Sequence, residues 1–171
     1  ITSSCGDSFL NCARLLNILF FVSAAPFIYL IGRQITGKKT ALLIVVLSML
    51  GPVNVYTAFF MPESMYFFVF WVFTWFFLRT IRQQGIFQWM LLGILLGLAA
   101  LVKPHAIFLL PAIVALFIVF FRQNSDFGAP RKIALYAIFF AAAIATKFGI
   151  SFLLAGKSGL TLLGTSYTTL A

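Results

Sequence analysis

The sequence predicts an all-α fold, a polytopic bundle of six transmembrane helices, and three observations predict it. Hydrophobic residues make up 63% of the 171, charged residues only 9%, and the mean hydropathy is +1.09, far from the composition of a soluble domain. The apolar residues fall into successive runs that approach or reach the length needed to cross a hydrocarbon core. The few charges gather in short, mostly basic clusters between those runs. Residues 1–171 read as a single transmembrane domain. The chain opens on Ile1 and stops at Ala171 with no terminal anchor, so it is expected to be a piece of a larger membrane protein.

The first span is expected from Leu15 to Ile31, bent at Pro26 and followed by the basic loop Gly32 to Lys39. Further runs of similar length follow, which argues against a cleaved signal peptide. The second span begins near Thr40 and meets Gly51-Pro52, a pair that ends or kinks a helix. The third starts at Pro62-Glu63 and runs to Leu78, rich in aromatic residues, with proline placed where its missing N–H costs nothing. The fourth, Phe87 to Val102, carries Gly93 and Gly97, a small-residue pair that invites close helix packing. Lys103-Pro104-His105 separates it from a fifth span, Ala106 to Phe121, which contains Pro111. A sixth runs from Ile133 to about Ala155, and Gly156 to Ala171 reads as a loop.

Charge then orients the chain. With six spans, Arg33, Lys38, Lys39, Arg79, Arg82, Arg122, Arg131 and Lys132 fall on one side, against Arg14, Lys103 and Lys157 on the other, with Lys147 inside the last span. Basic loops stay in the cytoplasm, so the N-terminal segment, Glu63 and Lys103-Pro104-His105 face outward together. The net charge of +9 is thereby a topology signal. It forms no continuous basic stripe, and nucleic acid is not an expected partner. Cys5 and Cys12 precede the first span on that outer side. They are available for a disulfide there, although a helix running through both would hold them roughly 10 Å apart along its axis. Metal-ligand spacing is absent.

The organising stretch is Gly51 to Glu63, a polar interruption bearing the only acid in the hydrophobic body. A carboxylate beside lipid marks a substrate or ion site. Its plainer reading is a helix start whose dipole welcomes an anion. Arg14, Lys103 and His105 suit a phosphate or pyrophosphate held by charge-assisted hydrogen bonds. Glu63 suits a sugar hydroxyl, a cation or the lysine. The plainer reading of Arg14, Lys103 and Lys147 is snorkelling to the headgroups, and that of Trp71, Trp75 and Trp89 is packing. Asp126 reads as a solvated loop residue, and nothing near Asp7 supports it as a base.

The series Ala13-Arg-Leu-Leu-Asn17, Ile31-Gly-Arg-Gln-Ile-Thr-Gly37, Gly51-Pro52, Met61-Pro-Glu63 and Gly93-Ile-Leu-Leu-Gly-Leu-Ala-Ala-Leu-Val-Lys-Pro104 resembles membrane glycosyltransferases of the GT-C superfamily. The protein O-mannosyltransferase and aminoarabinose-transferase group is nearest, over roughly residues 10 to 122. The spacing from Pro52 to Glu63 also resembles the GPI-anchor mannosyltransferases. The resemblance implies transfer of a sugar from a polyprenyl- or dolichyl-phosphate donor to an acceptor on the extracytoplasmic or lumenal face of a plasma or endoplasmic reticulum membrane. It implies that Arg14 lies near the donor phosphate, that Glu63 is the acid opening a later span, and that Lys103 is the basic residue after the Gly-Leu-Ala run. His105 is added on position alone. It implies a general base upstream of Ile1, so that the catalytic residue is not assigned here, and a divalent metal in some relatives and not in others. Two other classes fit the composition: a secondary transporter, which would repeat its pattern in two halves, and a non-catalytic subunit packed against membrane-protein partners.

Overall fold

The computed structural model describes residues 9–51, 54, 63–83, 85–103, 106, 109–123 and 128–155. The described residues form α-helices and their turns, with no strand: α1 (Phe9–Ser23), α2 (Ala25–Ile35), α3 (Lys38–Met49), α4 (Glu63–Gln83), α5 (Ile86–Val102), α6 (Leu110–Gln123) and α7 (Ala129–Ala155). The all-α expectation is met, and all six expected spans have a helical counterpart. Three stretches are long and apolar enough to cross a membrane, namely Leu10–Ile35, Glu63–Ile81 and Pro130–Leu153. The other three helices are shorter, at 12, 17 and 14 residues for α3, α5 and α6, or roughly 18–26 Å against a core of about 30 Å.

The ends of the helices have local causes. α1 and α2 are one apolar stretch broken at Ala24. Pro26 has no N–H to donate and its ring collides with the carbonyl four residues back, so the chain turns just before it. Ala24 itself donates to the Phe21 carbonyl at 3.2 Å, and its own carbonyl accepts from Phe27 and Ile28. At the far end of α2, both the N–H and the hydroxyl of Thr36 donate to the Gly32 carbonyl at 2.8 Å.

α5 opens with the Gly85 N–H donating to Gln88 Oε1 at 2.9 Å and closes at Lys103, whose φ of −145° and ψ of 117° are extended. The residue before a proline is pushed out of the helical region, and Pro104 ends α5 in this way. The fifth helix begins at Leu110 instead of Ala106. Pro111 therefore falls in its first turn, where a missing donor is harmless. α7 starts at Ala129, four residues before Ile133, with the Gly128 carbonyl accepting from Arg131 and Lys132. The segment 156–171 lies outside the described residues.

The chain divides into two compact units, Ile1–Trp75 and Phe76–Ala171, and the boundary falls inside α4. In the first unit, α2 and α3 meet closely around Gly32, where an added Cβ would stand 3.2 Å from Ala41 Cβ. α1 and α2 also lie along α4 through aromatic rings: Phe20 on Phe68, Phe21 on Phe67, and Phe27 against both Phe68 and Trp75.

In the second unit, α5 packs on α7 through the expected glycine pair. A Cβ at Gly93 would overlap the Phe139 carbonyl oxygen, and one at Gly97 would lie 2.7 Å from the Ala143 carbonyl oxygen. Backbones approach that closely only where no side chain intervenes. Phe117 of α6 is the hub beside this contact, with its ring 5.5 Å from Phe77, 5.1 Å from Trp89, 4.7 Å from Tyr136 and 5.5 Å from Phe139. Trp89 is fully buried.

Candidate functional site

Arg14 and Glu63 belong to the first unit, and the ring pairs fix their relation. Phe20 contacts Phe68 and Phe27 contacts Trp75, so two turns of advance along α1–α2 match two turns along α4. The helices therefore run parallel, and Arg14 stands at the same end of the pair as Glu63. Arg14 is exposed, whereas Glu63 is half-buried with Oε2 fully covered.

The same end holds two buried polar side chains that sequence reasoning did not select. Asn17 is buried on the stripe Ala13, Asn17, Phe21, which faces α4 because Phe21 stacks on Phe67. Ser64, next to Glu63, is completely buried, and its Oγ has no hydrogen-bond partner among the described residues. Buried polar groups ordinarily find partners, so a covered hydroxyl beside a carboxylate with one covered oxygen makes this a polar end of an apolar helix pair. The available signal was the i, i+4 spacing of Asn17 and Phe21, two positions of one face.

Lys103 belongs to the second unit. It is half-buried at the end of α5, where its N–H donates to the Ala99 carbonyl and its own carbonyl accepts from Ala106, both at 3.0 Å. His105 lies outside the described residues, as do Asp7, Cys5 and Pro62. Lys147 emerges instead. It lines a cavity of about 230 Å³ with Leu96, Gly97, Ala100, Phe140 and Ala143 among others, and its Nζ lies 5.8 Å from the centre of the Phe148 ring. The Gly93 and Gly97 contacts advance together along α5 and α7, so these helices are also parallel. Lys147 therefore lies toward the Lys103 end of the pair. Snorkelling alone, the plainer reading of Lys147 from sequence, does not describe a lysine that lines a cavity.

Cys12 is disulfide-bonded. Glu63 is the only carboxylate among the described residues, and they contain no group of three or more His, Cys, Asp or Glu placed to hold a metal.

A family model described as dolichyl-phosphate-mannose-protein mannosyltransferase matches residues 5–155. The chain belongs to that family. The match runs beyond the 10–122 over which the sequence resemblance was read, and takes in α7 with Lys147. No curated protein and no solved structure matches the chain. Membership makes this a membrane glycosyltransferase chain of the mannosyltransferase type, and the family implies a lipid-phosphate-linked sugar donor.

Proposed function

We propose that the chain is the donor-side part of an enzyme that takes a sugar from a dolichyl- or polyprenyl-phosphate and passes it to an acceptor at the extracytoplasmic or lumenal face. The observation that carries this reading is the family match over residues 5–155. Arg14, Glu63 and Lys103 are the donor-binding residues in this proposal, with Asn17 and Ser64 beside the first two and His105 following Lys103 in sequence.

The chemistry asked of them is electrostatic. When the sugar leaves its lipid phosphate, negative charge grows on that phosphate, and positioned cations stabilise it. Arg14 supplies a planar fork and Lys103 a point charge. Glu63 holds a sugar hydroxyl, accepting its hydrogen bond with a charged oxygen, which is stronger than a neutral contact. Activation of the acceptor hydroxyl is a separate task for a general base, which none of these residues is proposed to perform.

Two observations support an outer location for this end. The basic residues are biased to the opposite loops. Disulfides persist in oxidising compartments, and Cys12 lies at the Glu63 end of the α1–α4 pair.

The test is sugar transfer from a polyprenyl-phosphate donor by the full-length protein. Glu63→Gln and Lys103→Ala are each expected to lower kcat/KM by about ten- to a hundredfold, the worth of one hydrogen bond to a charged group. Unchanged rates in both variants would remove these residues from the site. A full-length protein that transfers no sugar would remove the reaction itself.

A further inference from the structure

The cavity in the second unit is almost wholly apolar: of the side chains lining it, only that of Lys147 is charged or polar. Its walls come from α5, from Ala106, from Leu110 at the start of α6, and from Phe140 to Phe148 of α7. An apolar cavity of about 150 Å³ stays dry and takes up a small hydrocarbon, and at about 230 Å³ this one exceeds that size. It is smaller than the roughly 300 Å³ at which pockets begin to enclose a whole small molecule. A recess of this size and lining suits a length of hydrocarbon better than a complete polar ligand.

The charge is at one end. Lys147 lies in the last third of the span Pro130–Leu153, near the end of α7 that runs beside Lys103, and Ala100 and Ala106 of the cavity wall flank Lys103 in sequence. An ammonium inside a membrane span is costly and marks a site when it faces the bundle interior. Here it lines an apolar recess whose wall also includes residues on both sides of Lys103 in sequence. The molecule that complements such an arrangement has an anionic head and a hydrocarbon chain.

We propose that this cavity seats the first part of the hydrocarbon chain of a polyprenyl phosphate, with the Lys147 amine meeting the phosphate. The inference rests on the donor reading above and deepens it, by naming the recess that receives the chain and a cation that the donor reading leaves out. The glycine contact matters to it: Gly97 lines the recess and also holds α5 against α7, so this part of the wall is tied to the close packing of the two helices.

The test is photolabelling of the full-length protein in nanodiscs with a diazirine-bearing polyprenyl phosphate, followed by mapping of the adducts. Adducts are expected on α5, α6 and α7 residues of the cavity wall, displaced by unlabelled polyprenyl phosphate at about tenfold lower concentration than by polyprenol or phosphatidylglycerol. Lys147→Gln should abolish that preference over polyprenol while leaving chain labelling in place, and Lys147→Arg should keep it. Ala100→Leu should remove the adducts by filling the recess. Wild-type adducts mapping to other helices would overturn the proposal whatever the variants do. So would phosphatidylglycerol competing as well as polyprenyl phosphate, or a Lys147→Gln protein that still prefers the phosphate. Labelling requires no sugar transfer, so the two readings fail separately: a labelled but inactive protein loses the reaction and keeps the cavity, and an active protein without these adducts loses the cavity alone.

Discussion

The rings of Phe21 and Phe67 stack at 5.4 Å with 28° between their planes. That contact ties the first membrane-crossing stretch to α4 in parallel, and it sets Arg14 and Glu63 at one end of the pair although 48 residues of chain lie between them. Parallel neighbours in a membrane require the chain to return between them, which is the course α3 begins after the Thr36-Gly37 turn.

Sidedness can be read directly from this register. Single cysteines introduced as Leu10→Cys and Met65→Cys, both exposed positions, in a background with Cys5 and Cys12 replaced by serine, should react with a membrane-impermeant thiol reagent from the same side, and that side should be the outer one. Reaction of the two from opposite sides would break the parallel pairing.

The glycine contact should respond steeply to size. Gly93→Leu forces a side chain into the Phe139 carbonyl, and overpacking of this kind costs about 1–3 kcal/mol. Gly37→Leu, where an added Cβ meets nothing within 4 Å, should escape that steric penalty. Thermal unfolding in detergent, followed by fluorescence, is the measurement. Equal losses for the two variants would show that α5 and α7 are not held backbone to backbone.

Removing the centre of the second unit should be costly for a different reason. Phe117 is buried among the rings of Phe77, Trp89, Tyr136 and Phe139, so Phe117→Ala leaves a void and should destabilise by about 3–5 kcal/mol. Phe117→Leu should recover more than half of that in the same unfolding assay.

The break at Ala24 should depend on one ring. With Pro26→Ala the donor returns and the clash disappears, so α1 and α2 should join into a straighter helix. Spin labels at Leu15 and Leu30 would report a narrower and shifted distance distribution. An unchanged distribution would assign the turn to Ala24 and its neighbours instead of to the proline.

Much of this was legible because membrane helices announce themselves by composition and are stopped by residues with strong backbone preferences. Gly51-Pro52, Pro62-Glu63 and Lys103-Pro104 each predicted a boundary that lies within a residue or two of the observed one. The start of α6 beside Pro111 was not read from the sequence, because a proline is equally at home after the start of a kinked helix and in the first turn of a straight one, and only the backbone around it distinguishes these. Asn17, Ser64 and Lys147 escaped for another reason. Their significance comes from which helix lies opposite, and a hydrophobic pattern gives the face of a helix without naming its neighbour. Lys147 read alone is a lysine near the end of a span, whereas against Gly97 and Ala100 it is part of a wall.

α3 has one further implication. It has 12 residues, begins with two exposed lysines, ends at Met49, and turns Leu42, Leu43, Val46 and Leu47 outward. A helix of roughly 18 Å cannot match a hydrocarbon core of about 30 Å, and a short apolar element pulls the two leaflets toward each other beside it. The bilayer next to Gly51 should therefore be locally thin, so that the headgroup layer dips along this flank and a lipid arriving there already rides lower than its neighbours.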